Sequence, residues 1–304
     1  MTTNRPRKRK LPPRRAPGTQ PAKPAPPAPW SAPALALDHA LAPLTPPGEF
    51  LTAAAELGIE FDEADVPKLG KYLALLLRTN TTINLTAIRD EREAWTRHIL
   101  DSLTLIPALA DLPAHARVID VGSGGGLPGL PLAITLPQLR FTLLEATGKK
   151  AEFLRQAAAA LELSNVEVLQ KRAEQAGQFR GEKVSRGATT SREGGTREAF
   201  DAVIARAVGP LPVLAELTVP FAKIGGRVLL IKGERAEQEL ADAAGALHLL
   251  KAVHASTLTT PTGRIIALEK TSATPRTYPR ADGEPKRAPL GVSKARGSEE
   301  QGAE

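Results

Sequence analysis

The chain of 304 residues contains no cysteine. That excludes disulfides, zinc–thiolate centres and any thiol nucleophile, and a reducing compartment is the simplest setting, so the expected location is the cytoplasm. Methionine occurs once and tryptophan and tyrosine twice each, so the core must be mainly aliphatic. No apolar run approaches the roughly 18 residues of a membrane span. The five histidines (His39, His98, His115, His248 and His254) are scattered without metal-ligand spacing, so no metal site is expected. Net charge is also missing from most of the chain. The total is +7, but residues 1–47 hold eight Lys/Arg against Asp38 alone, leaving 32 bases and 32 acids elsewhere. Bulk charge therefore gives no argument that the body binds nucleic acid; only a local patch could.

What is present falls into segments. Residues 1–47 carry thirteen prolines and the block "RPRKRKLPPRR", a composition expected to stay disordered. It reads either as a solvated extension or as a non-specific phosphate-binding arm. Apolar spacings of three and four predict a small helical region over 48–112, with "TTINLTAIRD" as a turn-rich connector. From 113 to 270 strand-like runs ("RVIDV", "RFTLLE", "NVEVLQ", "FDAVIARA", "GRVLLIKG") alternate with helical ones, and "KAVHASTL" and "GRIIALEK" form a final strand pair. That alternation predicts an α/β fold with a doubly wound, mostly parallel sheet. Residues 181–198, rich in Gly, Ser, Thr and Arg, read as a loop insertion, and 271–304 as a flexible C-terminal tail.

The stretch "VIDVGSGGGLPGLPL" (Val118–Leu132) concentrates the chemistry. Glycines after the first strand of such a sheet let a ligand approach bare backbone, and the next helix offers free N–H groups. Two cofactors compete. Gly124, Gly126 and Gly129 satisfy the dinucleotide spacing, but two glycines then precede the motif. Asp120, Gly122, Gly124 and Gly126 satisfy the acid-x-Gly-x-Gly-x-Gly pattern of S-adenosylmethionine (SAM) sites. Glu145, at the end of "RFTLLE", suits the ribose hydroxyls of either.

If the donor is SAM, exclusion narrows the acceptor. Attack through a pyrimidine C5 needs the absent cysteine. Exocyclic amines need a proton acceptor after the fourth strand, where "ARAV" puts Arg206, a group that only donates. The site suits an atom with a free lone pair, such as guanine N7, which needs orientation more than deprotonation.

"INLTAI", "RHILDSL", the glycine stretch, "LLEATGKKAEFL" and "ARAV" occur here in the order found in the RsmG (glucose-inhibited division protein B) family, which the chain resembles from about Glu49 to Lys270, and the "YPR…G…P…PL" ending (Tyr278–Leu290) resembles that of some members. The resemblance implies a class I, Rossmann-like SAM-dependent methyltransferase acting on guanine N7 of small-subunit (16S) ribosomal RNA, free or in the small ribosomal subunit. It implies SAM contacts at Gly122, Leu127, Glu145, Ala146, Thr147, Ala173, Glu174 and Arg206. It supplies no catalytic base; Arg206 would face either the SAM carboxylate or the guanosine. No protein partner is implied. From the residues alone, His98 reads as a satisfied helix histidine rather than a catalyst, Asp101 and Ser102 either as caps of local backbone or as groups that order a lid over the cofactor, and Lys232 as either a phosphate contact or a solvated side chain.

Overall fold

The computed structural model describes residues 37–38, 40–186, 189–206 and 209–291. The expected disorder of residues 1–47 lies outside them up to residue 36. Residues 41–47 do not conform to it: Leu44 N–H donates to Gly70 O at 3.2 Å, and Leu41 O accepts from Lys71. The docking is close because Gly70 has no side chain; a Cβ there would collide with Leu44 O.

Three helices open the described chain: α1 (Gly48–Glu56), α2 (Asp65–Asn80) and α3 (Glu91–Ala94). Asp90 caps α3 by accepting from Glu93 N–H at 2.8 Å. The same helix runs on through a wide π-type segment, Trp95–Leu100, into α4 (Asp101–Leu103). The apolar stripe of α2 (Leu69, Tyr72, Leu73, Leu76) is fully buried, meeting Phe50 and Trp95 in one cluster.

The main sheet contains β1 (Arg117–Val121), β2 (Arg140–Leu144), β3 (Val166–Leu169), β6 (Phe200–Arg206), β7 (Ala222–Lys232), β8 (Ala252–Thr260) and β9 (Gly263–Lys270). Its order is β3-β2-β1-β6-β7-β9-β8, with β9 antiparallel to both neighbours and the other pairs parallel. The order reverses between β1 and β6, and that switch point lies beside the glycine stretch. Side chains alternate between faces as period two requires. Ile119, Val121, Val203 and Leu230 pack under α8 (Leu211–Thr218) and α10 (Ala244–Leu250). Val118, Phe141, Ala202 and Leu229 face α5 (Gly129–Thr135). The helices α1 and α2 pack outside α5 and α6 (Gly148–Ala160). Of the remaining elements, α7 (Ala173–Gln178) follows β3, α9 (Ala236–Asp242) follows β7, and α11 (Glu284–Arg287) lies near the C-terminus.

Two expectations need correction. The 181–198 insertion is not a plain loop: β4 (Glu182–Arg186) and β5 (Thr189–Glu193) pair as an antiparallel hairpin. Its far end is buried, because the Arg197 guanidinium donates to the carbonyls of Gly177, Thr274, Pro275 and Tyr278. Those carbonyls also show that residues 271–291 are not a loose tail. The Arg280 guanidinium binds the fully buried Glu216 carboxylate of α8 at 2.6 Å, and Gln175 reaches Asp282. No helix among the described residues is long and apolar enough to cross a membrane.

Candidate active site at the sheet switch point

The glycine loop is held from below. Asp120, fully buried at the end of β1, accepts from Gly129 N–H at 3.0 Å, while its second carboxylate oxygen has no partner among the described residues. Burial pushes this carboxyl up to about 7, against the pull of the Gly129 hydrogen bond, of the nearby Ser123 hydroxyl (which is placed to donate to the Asp120 main-chain oxygen, at 3.0 Å) and of the Arg206 charge. Gly129 must be glycine, since a Cβ would strike Leu143 and come within 2.8 Å of the Asp120 carboxylate.

The loop is also held from the helical layer, which sequence reasoning missed. The buried Tyr72 hydroxyl donates to Gly125 O at 2.8 Å, and burial pushes this phenol up, keeping it a neutral donor. Within the apolar stripe of α2, Tyr72 carries no signal that separates it from a core residue.

Glu145 stands just past β2, opposite the loop. Its carboxylate accepts from Gly124 N–H at 3.0 Å and from Thr147 N–H at 2.7 Å. An ionised carboxylate has about four acceptor positions, so two remain for other donors. Gly124 has φ +57° and a Cβ there would meet open space, with only Gly122 O inside 4 Å. Gly122, Ala146 and Thr147 are exposed around this opening. The Leu127 side chain, by contrast, is buried in the helical layer, which leaves its backbone for any ligand. Ala173 is half-buried at the start of α7. The Glu174 carboxylate turns away toward the C-terminal segment, accepting from Gly283 N–H at 2.8 Å and Arg172 at 3.1 Å. Burial raises this carboxyl, but those bonds outweigh it and leave it below its ordinary value.

Arg206 ends β6. Ile204 pairs with Asp120, so Arg206 lies two residues beyond that pair, level with Gly122. Beside it opens a cavity of about 800 Å³ lined by the ends of β6 and β7 together with Thr86, Ile88, Arg97, His98, Asp101 and Thr262. Two motifs meet on its wall, where Thr86 of "INLTAI" and His98 of "RHILDSL" are 2.7 Å apart. Burial and the neighbouring Arg206 charge push His98 down to about 4, so the ring is neutral at pH 7. His98 Nδ1 lies 3.1 Å from Arg97 O and 3.5 Å from Arg206 Nη2, while Nε2 faces the Thr86 hydroxyl, which can donate or accept. Either ring tautomer therefore finds a partner at both nitrogens, and His98 is the satisfied histidine expected. Ser102 does cap local backbone, donating to His98 O at 2.6 Å. Asp101 does not: its carboxylate binds Arg206 at 3.1 Å and the Thr262 hydroxyl at 2.5 Å. Lys232 is neither solvated nor free for phosphate. It is nearly buried, bound to Gly209 O at 2.8 Å and paired with Glu239 at 2.6 Å. Arg97 and Arg235 on the cavity wall have no ion pair among the described residues.

An orphaned carboxylate oxygen under the loop, an open cradle where a Cβ would stand, and spare acceptor positions on Glu145 together suit a polar cofactor bearing ribose hydroxyls. With a parallel β3-β2-β1-β6-β7 core and an antiparallel closing hairpin of β9 and β8, they define a class I SAM-dependent methyltransferase, with SAM as its cofactor. The sequence model of the GidB family, described as rRNA small subunit methyltransferase G, matches residues 65–266, and the chain belongs to that family. A "Ribosomal RNA small subunit methyltransferase G" of Sorangium cellulosum (strain So ce56) is 51% identical over 237 residues, which cover 78% of this chain and 93% of that protein. Proteins of the same name from Leuconostoc citreum (strain KM20) and Chloroflexus aggregans (strain MD-66 / DSM 9485) are 38% and 42% identical. They cover 79% and 77% of this chain and 98% and 93% of their own lengths.

Proposed function

We propose that the protein methylates N7 of one guanine in small-subunit ribosomal RNA, with SAM as donor. The observation that carries the choice of atom is the end of β6. An amine-methylating site needs a proton acceptor there, whereas this chain presents a guanidinium whose partners are all acceptors. Bound SAM supplies a methyl group on a cationic sulfur, and a guanine N7 lone pair can take it without surrendering a proton. No base is then required, in keeping with a neutral His98 already occupied by Thr86.

The chain's own residues hold and orient. Glu145 would accept from the ribose hydroxyls on its two free acceptor positions, beside the exposed Ala146 and Thr147. The open backbone of Gly122 and that of Leu127 would line the methionine side. Ala173 and the backbone of Glu174 would flank the adenine, since the Glu174 side chain is taken up by Gly283 and Arg172. Arg206 would direct its remaining N–H groups at guanine O6 or a neighbouring phosphate. Because Asp101 neutralises it, it does not oppose a sulfonium nearby. Arg97 and Arg235, set against Glu234 on the same wall, would leave the cavity a small net positive charge that the neutral body lacks overall. Catalysis would come from holding two partners in near-attack geometry.

The test is transfer of labelled methyl from SAM to small subunits and, separately, to naked rRNA from cells lacking N7 methylation, mapped by cleavage at N7-methylguanine. A single cleaved guanine supports the proposal. Label on RNA without N7 cleavage would move the reaction to another atom, and no label on either substrate would reject the RNA reading.

A further inference from the structure

Arg206 is held by more than its own strand. Free arginine side chains carry about 2 kcal/mol of rotamer entropy, so a guanidinium at a strand end points nowhere in particular unless something fixes it. Here Nη1 donates to Arg97 O at 3.0 Å and to Asp101 Oδ2 at 3.1 Å, and Nη2 lies 3.5 Å from His98 Nδ1. Asp101 is itself buried, and its other oxygen, Oδ1, accepts from the Thr262 hydroxyl at 2.5 Å. Thr262 sits in the turn between β8 and β9, 161 residues further along the chain. One carboxylate thus joins the N-terminal helices, the switch-point strand and the closing hairpin. Within its own turn the hydroxyl makes only a long contact, 3.4 Å to Thr260 Oγ1, while the turn is closed by Gly263 N–H on Thr260 Oγ1 and by the ladder pairing of Thr260 with Gly263.

We propose that Thr262 is a positioning residue for methyl transfer: its hydroxyl fixes the Asp101 carboxylate, which fixes the Arg206 guanidinium toward the acceptor cavity. This rests on the reading of Arg206 as the group that orients the acceptor. Removing the hydroxyl leaves a buried carboxylate oxygen seeking a second donor, and the nearest is the guanidinium itself. Arg206 would then swing toward Oδ1 and lose its present aim, in which Nη2 lies beside His98 on the cavity wall. The defect belongs to the orientation of the acceptor, since neither Thr262 nor Asp101 bonds Glu145 or the glycine loop.

The experiment uses the full chain with three variants, Thr262→Val, Thr262→Ser and Arg206→Lys. Methyl transfer to small ribosomal subunits gives kcat, calorimetry gives the SAM Kd, and thermal melting reports folding. Thr262→Val is expected to lower kcat roughly tenfold, the scale of a small misalignment of reactants, with SAM Kd unchanged within about twofold. Thr262→Ser, which keeps the hydroxyl, should recover most of the loss. The inference is overturned by a Val variant with wild-type kcat, by a Ser variant as slow as Val, or by SAM affinity falling in step with kcat. Arg206→Lys keeps the charge and loses the fork, and a slow Lys variant is expected. If it instead turns over at the wild-type rate, the reading of Arg206 fails and that of Thr262 with it. A dead Lys variant beside a fully active Val variant removes Thr262 alone.

Discussion

Asp120 meets the strongest opposition of any residue in the site, since it is buried completely with one oxygen unpartnered. An ordinary aspartate of 3.8 is pushed to about 7 in the fold. Between those values the folded chain keeps a proton that the unfolded chain has released. Stability therefore falls as pH rises through that window and stays low above it. Asp120→Asn keeps an acceptor for Gly129 N–H and removes the charge. Urea midpoints should show the variant more stable than the wild type at pH 8, with the gain much smaller at pH 5. An equal gain at both pH values would show that ionisation is not the cause. This residue and Glu145 are legible in the sequence because each closes a strand next to a glycine run or a helix start. Asp101 was only half legible, because a carboxylate three residues after a histidine on a helix reads as a local cap as readily as a group that orders the site. Its real partners, Arg206 and Thr262, come near it only through the order of the sheet.

At the scale of elements, the C-terminal segment is tied into the body with little signal in its composition, although its ending resembles that of some family members. Its composition, basic and proline-rich, reads as loose chain. Its attachment runs largely through carbonyls and single ion pairs, which leave no apolar periodicity to detect. Arg197 binds three of its carbonyls, Gln178 takes two, and Gly283 N–H reaches Glu174 at the head of α7. Gly177 lets Pro279 lie against α7, where a Cβ would come within 2.8 Å of the ring. The pair Arg280–Glu216 locks the segment to α8. Arg280→Met leaves the Glu216 carboxylate buried without a counter-charge, a loss of about 3–5 kcal/mol and roughly 10 °C in Tm. SAM should also bind several-fold more weakly, because α7 loses its support. A lower Tm with unchanged SAM affinity would show that the segment stabilises the fold without serving the cofactor. The alternating strands and helices, by contrast, were readable almost throughout, since period two and period 3.6 are imposed by burial on two sheet faces.

For the whole molecule, charge is divided unevenly between the N-terminal 36 residues and the rest. All eight bases of residues 1–47 fall before residue 24, while the remainder is balanced. A polycation tethered to a neutral enzyme contributes through counterion release, so its share of affinity falls with log salt. Deleting residues 1–36 should leave the SAM Kd unchanged, weaken binding to small subunits below 0.1 M salt, and flatten the salt dependence of methyl transfer. An unchanged salt slope would assign RNA attraction to the cavity rim alone.

The β4–β5 hairpin leaves and rejoins the body at a single pinch: a Cβ on Gly195 would lie 2.6 Å from the Arg180 carbonyl carbon and 2.8 Å from Gly181 N. Beyond that point the chain resumes at Thr196 and Arg197, both anchored in the body. Residues 182–193 therefore behave as a cassette between two touching backbone ends. Exchanging that cassette for an epitope or a dye-labelling tag would give a way to follow the enzyme on a ribosomal particle while leaving its chemistry alone.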